Sequence, residues 1–172
     1  MKKILLTLLL FSSIFAQANR ILTLAPTAQV SSIGNVMLPM MNPARNLFDK
    51  DHFSFSRVNW MTNIVNDMSY NFINVDRGPY GINIMFFNYG EQNLTNESGI
   101  IESQFTPLSA VYGFSYARKV SKYNLGLDVK LITHDLHTQK AKGLVLGVGG
   151  YFPKIYKDLD LDVMVRNFGF AP

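Results

Sequence analysis

The chain has 172 residues, no cysteine, a formal charge of +4, and 16% charged against 48% apolar and 13% aromatic residues. The missing cysteines exclude a disulfide framework. The low charge gives no support to a polycationic nucleic-acid binder.

Lys2 and Lys3 precede an apolar run from Ile4 to Phe15, and Ala16-Gln17-Ala18 supplies the small-x-small pattern of a cleavage site. Residues 1–18 are therefore expected to be an export signal cleaved after Ala18. The run is shorter than the roughly 20 apolar residues of a spanning helix. No cysteine follows it, so an acylated lipoprotein is excluded. Removing 18 residues from 172 leaves 154, enough for one domain, and loss of the two lysines lowers the charge to +2.

Residues 19–50 do not alternate. They hold Pro26, Pro39 and Pro43, and the Met and Leu of Ser31–Met41 need an apolar cover. This stretch is expected to be a plug inside a larger structure. Strand signals begin at His52–Trp60, where Phe53 and Phe55 share a face and Val58 and Trp60 fall out of phase, as a bulge would cause. Met68–Val75, Tyr80–Tyr89, Leu108–Arg118, Tyr123–Thr133, Leu144–Phe152 and Leu159–Arg166 follow, each alternating with period two. In Tyr123–Leu131 one face is wholly apolar, whereas the other carries Asn124, Gly126, Asp128 and Lys130.

Short turn-like links at 76–79, 119–122 and 153–158 alternate with longer polar connections at 90–106 and 134–142. Strands near the 9–11 residues needed to cross a bilayer, many aromatics, and short turns opposite long loops favour an all-β transmembrane antiparallel β-barrel, or the N-terminal half of one. Residues 51–172 would be its strands, about seven and so an incomplete wall, because bacterial barrels have an even number of at least eight. An exported β-sandwich is the alternative, since its strands also alternate.

Several short features follow one another in a characteristic order. They are Gly34 with Asn42-Pro43-Ala44, the strand pair containing Trp60, and Tyr80-Gly81-Ile82-Asn83-Ile84 leading to a loop with Gly99. Ser115-Tyr116-Ala117, Gly126–Leu131 and Asn167-Phe168-Gly169 complete the order, which resembles that of the PorV/PorQ family of outer-membrane proteins, similar in fold to the long-chain fatty-acid transporter FadL. The resemblance implies a barrel of about fourteen strands with an N-terminal plug, roughly twice what this chain supplies. It also implies a role in hydrophobic-solute transport or type IX protein secretion, with secretion components or cargo as partners. The chain would then be a truncated or half-length member.

Gly34, Asn42, Pro43 and Ala44 are the candidate plug motif; the plain alternative for 42–44 is a turn before the first strand. Asp128, Lys130, Asp160, Asp162 and Arg166 would face the lumen if the apolar faces meet lipid, where they could contact a solute, pin the plug or simply be solvated. On that reading Asp128→Ala is expected to be tolerated far better than Leu127→Arg. Asp158, Asp160 and Asp162 lack the loop of a calcium site. His134 and His137 would point to opposite faces of a strand, so no metal is expected. Asn93-Leu94-Thr95 and Asn96-Glu97-Ser98 fit a glycosylation pattern that also arises by chance. No catalytic motif or phosphate loop is present, so neither an enzyme nor a cofactor is expected. The expected location is the outer membrane, with its lipid as partner and no nucleic acid. The alternative function is an exported structural or interaction protein, a sandwich or a small scaffold barrel.

Overall fold

The computed structural model describes residues 20–24, 27, 42–48, 51–60, 67–137 and 139–170. The export signal, Gly34 and the rest of Ser31–Met41 lie outside the described residues.

Among the described residues nine strands form in chain order: β1 His52–Asn59, β2 Ser69–Arg77, β3 Tyr80–Asn88, β4 Gln92–Thr95, β5 Ile101–Phe105, β6 Leu108–Val120, β7 Tyr123–Asp135, β8 Lys140–Tyr156 and β9 Leu159–Phe170. Seven of them make one antiparallel sheet in the order β1-β2-β3-β6-β7-β8-β9. Each of the seven alternating segments is a strand of that sheet. Period-two patterning sets the phase, and two-residue turns join β2 to β3, β6 to β7 and β8 to β9. These turns start on Gly78, Ser121 and Lys157, all at positive φ. Gly takes that conformation without strain, whereas Ser and Lys hold it against a Cβ clash.

Three expectations need correction. The connection at 90–106 contains the ribbon β4–β5, a separate two-stranded sheet. β8 continues through Pro153–Tyr156, leaving only Lys157-Asp158 as the turn. The bulge expected at Val58 is absent: β1 pairs with β2 in unbroken register from His52↔Asp76 to Asn59↔Ser69. Bulges occur instead between β8 and β9, where Gly147 alone spans the step from Val165 to Phe168.

The described strands also form an open sheet rather than a closed barrel, with β1 and β9 as its edges. Seven antiparallel strands leave the first and last running in the same direction, so the antiparallel ladder cannot join them to each other.

The two faces have opposite character. One exposes Phe55, Ile82, Tyr112, Phe114, Leu127, Leu146, Val148 and Val165, with Leu127 57% and Val148 52% accessible. The other is enclosed and divides into halves. Toward the long connections it is apolar: Ile21 of the helical turn Arg20–Thr23 packs with Tyr70, Phe72, Met85, Val111, Ile132 and Val145, and Leu22 and Leu24 sit beside them. Toward the short turns it is polar and glycine-lined, and the segment 42–48 lies across it.

Candidate functional site: a polar inner face strapped by residues 42–48

Asn42 starts the segment in extended conformation (φ −120°, ψ 109°), and its side-chain oxygen accepts a hydrogen bond from the Ala44 N–H at 3.0 Å. Pro43 at the first helical position has φ preset and no N–H to leave unsatisfied. Pro43–Leu47 therefore forms a capped 3-10 turn, closed by Arg45 N–H to Asn42 C=O at 3.0 Å and Phe48 N–H to Arg45 C=O at 2.9 Å. Pro43, Ala44 and Asn46 are buried in it.

The strap touches five neighbouring strands, and glycine makes this approach possible. A Cβ on Gly126 of β7 would strike the backbone of Pro43 and Ala44, and one on Gly149 of β8 would strike the Asn42 amide oxygen. Asn46 reaches β6, donating to Ser115 Oγ at 2.8 Å, and lies over Gly81 of β3. Asp162 on β9 accepts from Asn42 Nδ2 and from Arg45 Nε, both at 2.7 Å, and is ion-paired with the Arg45 guanidinium. Arg45 also lies over the rings of Phe48 and Tyr151, 5.6 and 5.5 Å from their centroids, and those two rings meet edge to face. A charged, planar side chain is thus held by a carboxylate in its plane and by aromatic rings above it.

Further along the same face, Lys130 and Asp128 form a buried ion pair on β7, and Gly147 across the ladder leaves room for the carboxylate. Asp128 and Lys130 are only 5% and 8% exposed. Asn74 donates to Asp76 at 2.6 Å on β2, and Asn83 fills the space over Gly113. Asn46 Oδ1, Asn83 Oδ1 and Asp128 Oδ1 are buried without a hydrogen-bond partner among the described residues.

Of the residues singled out from sequence, Asn42, Pro43, Ala44 and Asp162 meet in one cluster, and Asp128 and Lys130 make a second on the same face. Asp160 lies at the margin of the first cluster near the β8–β9 turn, exposed, accepting from Tyr151 Oη and from the Lys154 N–H at 2.8 Å. Arg166 is exposed in the β9 bulge. Arg45, Asn46 and Ser115 were not picked out as site residues. Their partners lie 69 to 117 positions away, and no local pattern announces such pairings. The burial of Asp128 against Lys130 argues against the expectation that Asp128→Ala is tolerated far better than Leu127→Arg, because truncation would leave a buried ammonium unpaired.

The seating of the strap is testable through Gly126. Gly126→Val forces the Pro43-Ala44 backbone off β7, at a cost of about 1–3 kcal/mol for overpacking. The expected result is faster tryptic cleavage after Arg45, whose side chain is 19% exposed in the seated strap.

No family model matches the chain, and no curated protein matches it.

Proposed function

We propose that this chain is a wall segment of an outer-membrane β-barrel, with the strap 42–48 and the turn at 20–23 as parts of its plug. It acts in the manner the PorV/PorQ resemblance implies, in passage of a hydrophobic solute or in type IX protein secretion. The observation that carries this reading is the inverted order of the sheet. Charges, amides and glycines are enclosed, while the opposite face exposes Phe55, Ile82, Phe114, Leu127, Val148 and Val165. A soluble monomer rarely shows a contiguous apolar patch larger than roughly a few hundred Å². A barrel wall needs this arrangement, with its apolar side toward lipid and its polar side toward the lumen. β6, β7, β8 and β9, at 13, 13, 17 and 12 residues, are long enough to cross at a tilt.

No long apolar helix is needed for this, and none is found among the described residues. The work of such a wall is done by shape and polarity. The enclosed face offers an apolar half under Ile21 and Leu22 and a polar half under the strap, so displacing the plug would uncover a graded surface.

The alternative, an exported interaction protein, draws on one observation: the sheet is open, so a second sheet could cover the apolar face as in a sandwich. Fractionation separates the two. The barrel reading expects the chain in the outer-membrane fraction, resistant to a urea wash and released by detergent. A chain recovered monodisperse in buffer without detergent overturns it. Solute uptake or channel conductance after reconstitution then separates transport from scaffolding.

A further inference from the structure

We propose that the short-turn end of the sheet docks anionic phospholipid, with headgroup phosphates on a rim of Arg and Lys and acyl chains on the aromatic side chains beside it. The proposal rests on the wall reading above and adds which lipid chemistry one end of the wall selects.

Charge is segregated along the strands. Because β3 adjoins β6 and β7 adjoins β8, the turns β2–β3, β6–β7 and β8–β9 stand side by side at one end. Exposed there are Arg77, Arg118, Lys119, Lys122, Lys154 and Lys157, against Asp51, Asp158 and Asp160. Asp51 pairs loosely with Arg77 at 3.8 Å, and Asp160 accepts from Tyr151 and from the Lys154 N–H. The other five cations make no ion pair among the described residues. The opposite end differs. Residues 90–106 carry Glu91, Glu97 and Glu102 and no Lys or Arg, and Lys140 is held by Asp135 at 2.8 Å. A surplus of positive charge therefore faces whatever lies against the short turns.

The side on which the cations stand decides the partner. Val75 and Arg77 share one side of β2, and Tyr112, Phe114, Tyr116 and Arg118 share one side of β6, the side that also exposes Leu127 and Val148. The apolar face thus ends in aromatic rings and then in guanidinium groups. Tyr80 packs on Tyr116 and Phe114 at this margin, with centroids 5.4 and 6.2 Å apart. Lys122 lies over the Tyr123 ring at 5.4 Å and Lys157 over the Tyr156 ring at 5.5 Å. Tyr rings belong at the level where hydrocarbon gives way to headgroups, and Arg matches phosphate with a planar pair of donors. A free anion satisfies the cations and leaves the rings bare. A ligand that meets both carries an acyl chain and a negative phosphate in one molecule. Short turns lie on the periplasmic side of outer-membrane barrels, so that leaflet is the one engaged. Each cation near the surface strengthens attraction to an anionic leaflet about fivefold, within the reach of salt screening.

Spin-labelled lipids test this with the full chain refolded into phosphatidylcholine vesicles. A trace of labelled phosphatidylglycerol or of labelled phosphatidylcholine reports how much of each lipid is held against the protein. The expected result is a preference for phosphatidylglycerol that falls by about fivefold or more in Arg77→Gln with Arg118→Gln. Arg77→Lys with Arg118→Lys retains it, and Lys140→Gln with Lys142→Gln, at the opposite end, leaves it unmoved. All four positions are exposed, so these exchanges leave the packing of the sheet alone. Equal retention of the two lipids by the natural chain overturns the proposal and leaves the rim to water or to an acidic protein. A preference that survives the Gln exchanges also overturns it. So does one abolished by inorganic phosphate and not by chloride at the same ionic strength, which marks a site for free anions. A chain that stays in buffer and never enters the vesicles refutes the wall reading itself, a distinct failure from an inserted chain without lipid preference.

Discussion

Asp128→Ala is expected to destabilise the protein by about 3–5 kcal/mol, although it removes only a short polar side chain. The carboxylate accepts from Lys130 two positions along the same strand, and both residues are buried. Truncation leaves the ammonium enclosed beside Gly113 and Val145 with its counter-ion gone. The second half of the prediction isolates the cause. Lys130→Met in the Asp128→Ala background removes the stranded charge and recovers most of the loss, since replacing a whole buried pair by apolar groups is often neutral or stabilising. Denaturant midpoints in detergent for the two single variants and the double variant give the coupling. If Asp128→Ala unfolds at the parent's midpoint, the inner face near β7 is solvated and the pair contributes little.

This result could not be anticipated from the strand pattern, which shows why some of the molecule is legible in the sequence and some is not. Alternation is a local property, so the phases of β3, β6, β7 and β8 follow directly from the residues, and so do the faces on which Asp128, Lys130 and Asp162 lie. Enclosure is not local. Asp128 is buried because it shares the inner face with the strap and the helical turn Arg20–Thr23, and segments up to 120 residues apart in sequence meet there. The misplaced bulge in β1 has a similar origin. Val58 and Trp60 are out of phase with Phe53 and Phe55 because they lie on the opposite face of an unbroken strand. Near the long connections the inner face is apolar too: Val58 pairs with the buried Tyr70, and Trp60 meets the ring of Phe87, 5.9 Å away. Of the two irregularities in the β8–β9 pairing, the one at Gly147 opposite Arg166-Asn167 has a weak local sign in Asn167, a residue type that tolerates the positive φ of 59° it adopts.

Leu127→Arg tests the other face one residue away, and it is expected to cost about 2–4 kcal/mol if that face meets the bilayer midplane. Leu127 stands between Tyr116 and Val148 on neighbouring strands, all three directed away from the strap. In water, an Arg at such an exposed site would change stability by no more than about 0.5 kcal/mol. A buried sandwich interface would also reject the charge, so one variant cannot separate lipid from a covering sheet. The series Leu125→Arg, Leu127→Arg, Val129→Arg and Leu131→Arg can, because all four side chains are exposed on the same face of β7 at increasing distance from the short turn. Lipid imposes a smooth depth profile, with the largest loss near the midplane and a fall toward about 0–1 kcal/mol at the interfaces. A protein interface imposes an irregular one, set by whatever each residue touches. The measurement is the folded fraction of each variant in lipid vesicles across a urea series. A peaked profile assigns the apolar face to the bilayer; a flat profile with normal assembly would put water against that face and reverse the inside and outside of the wall.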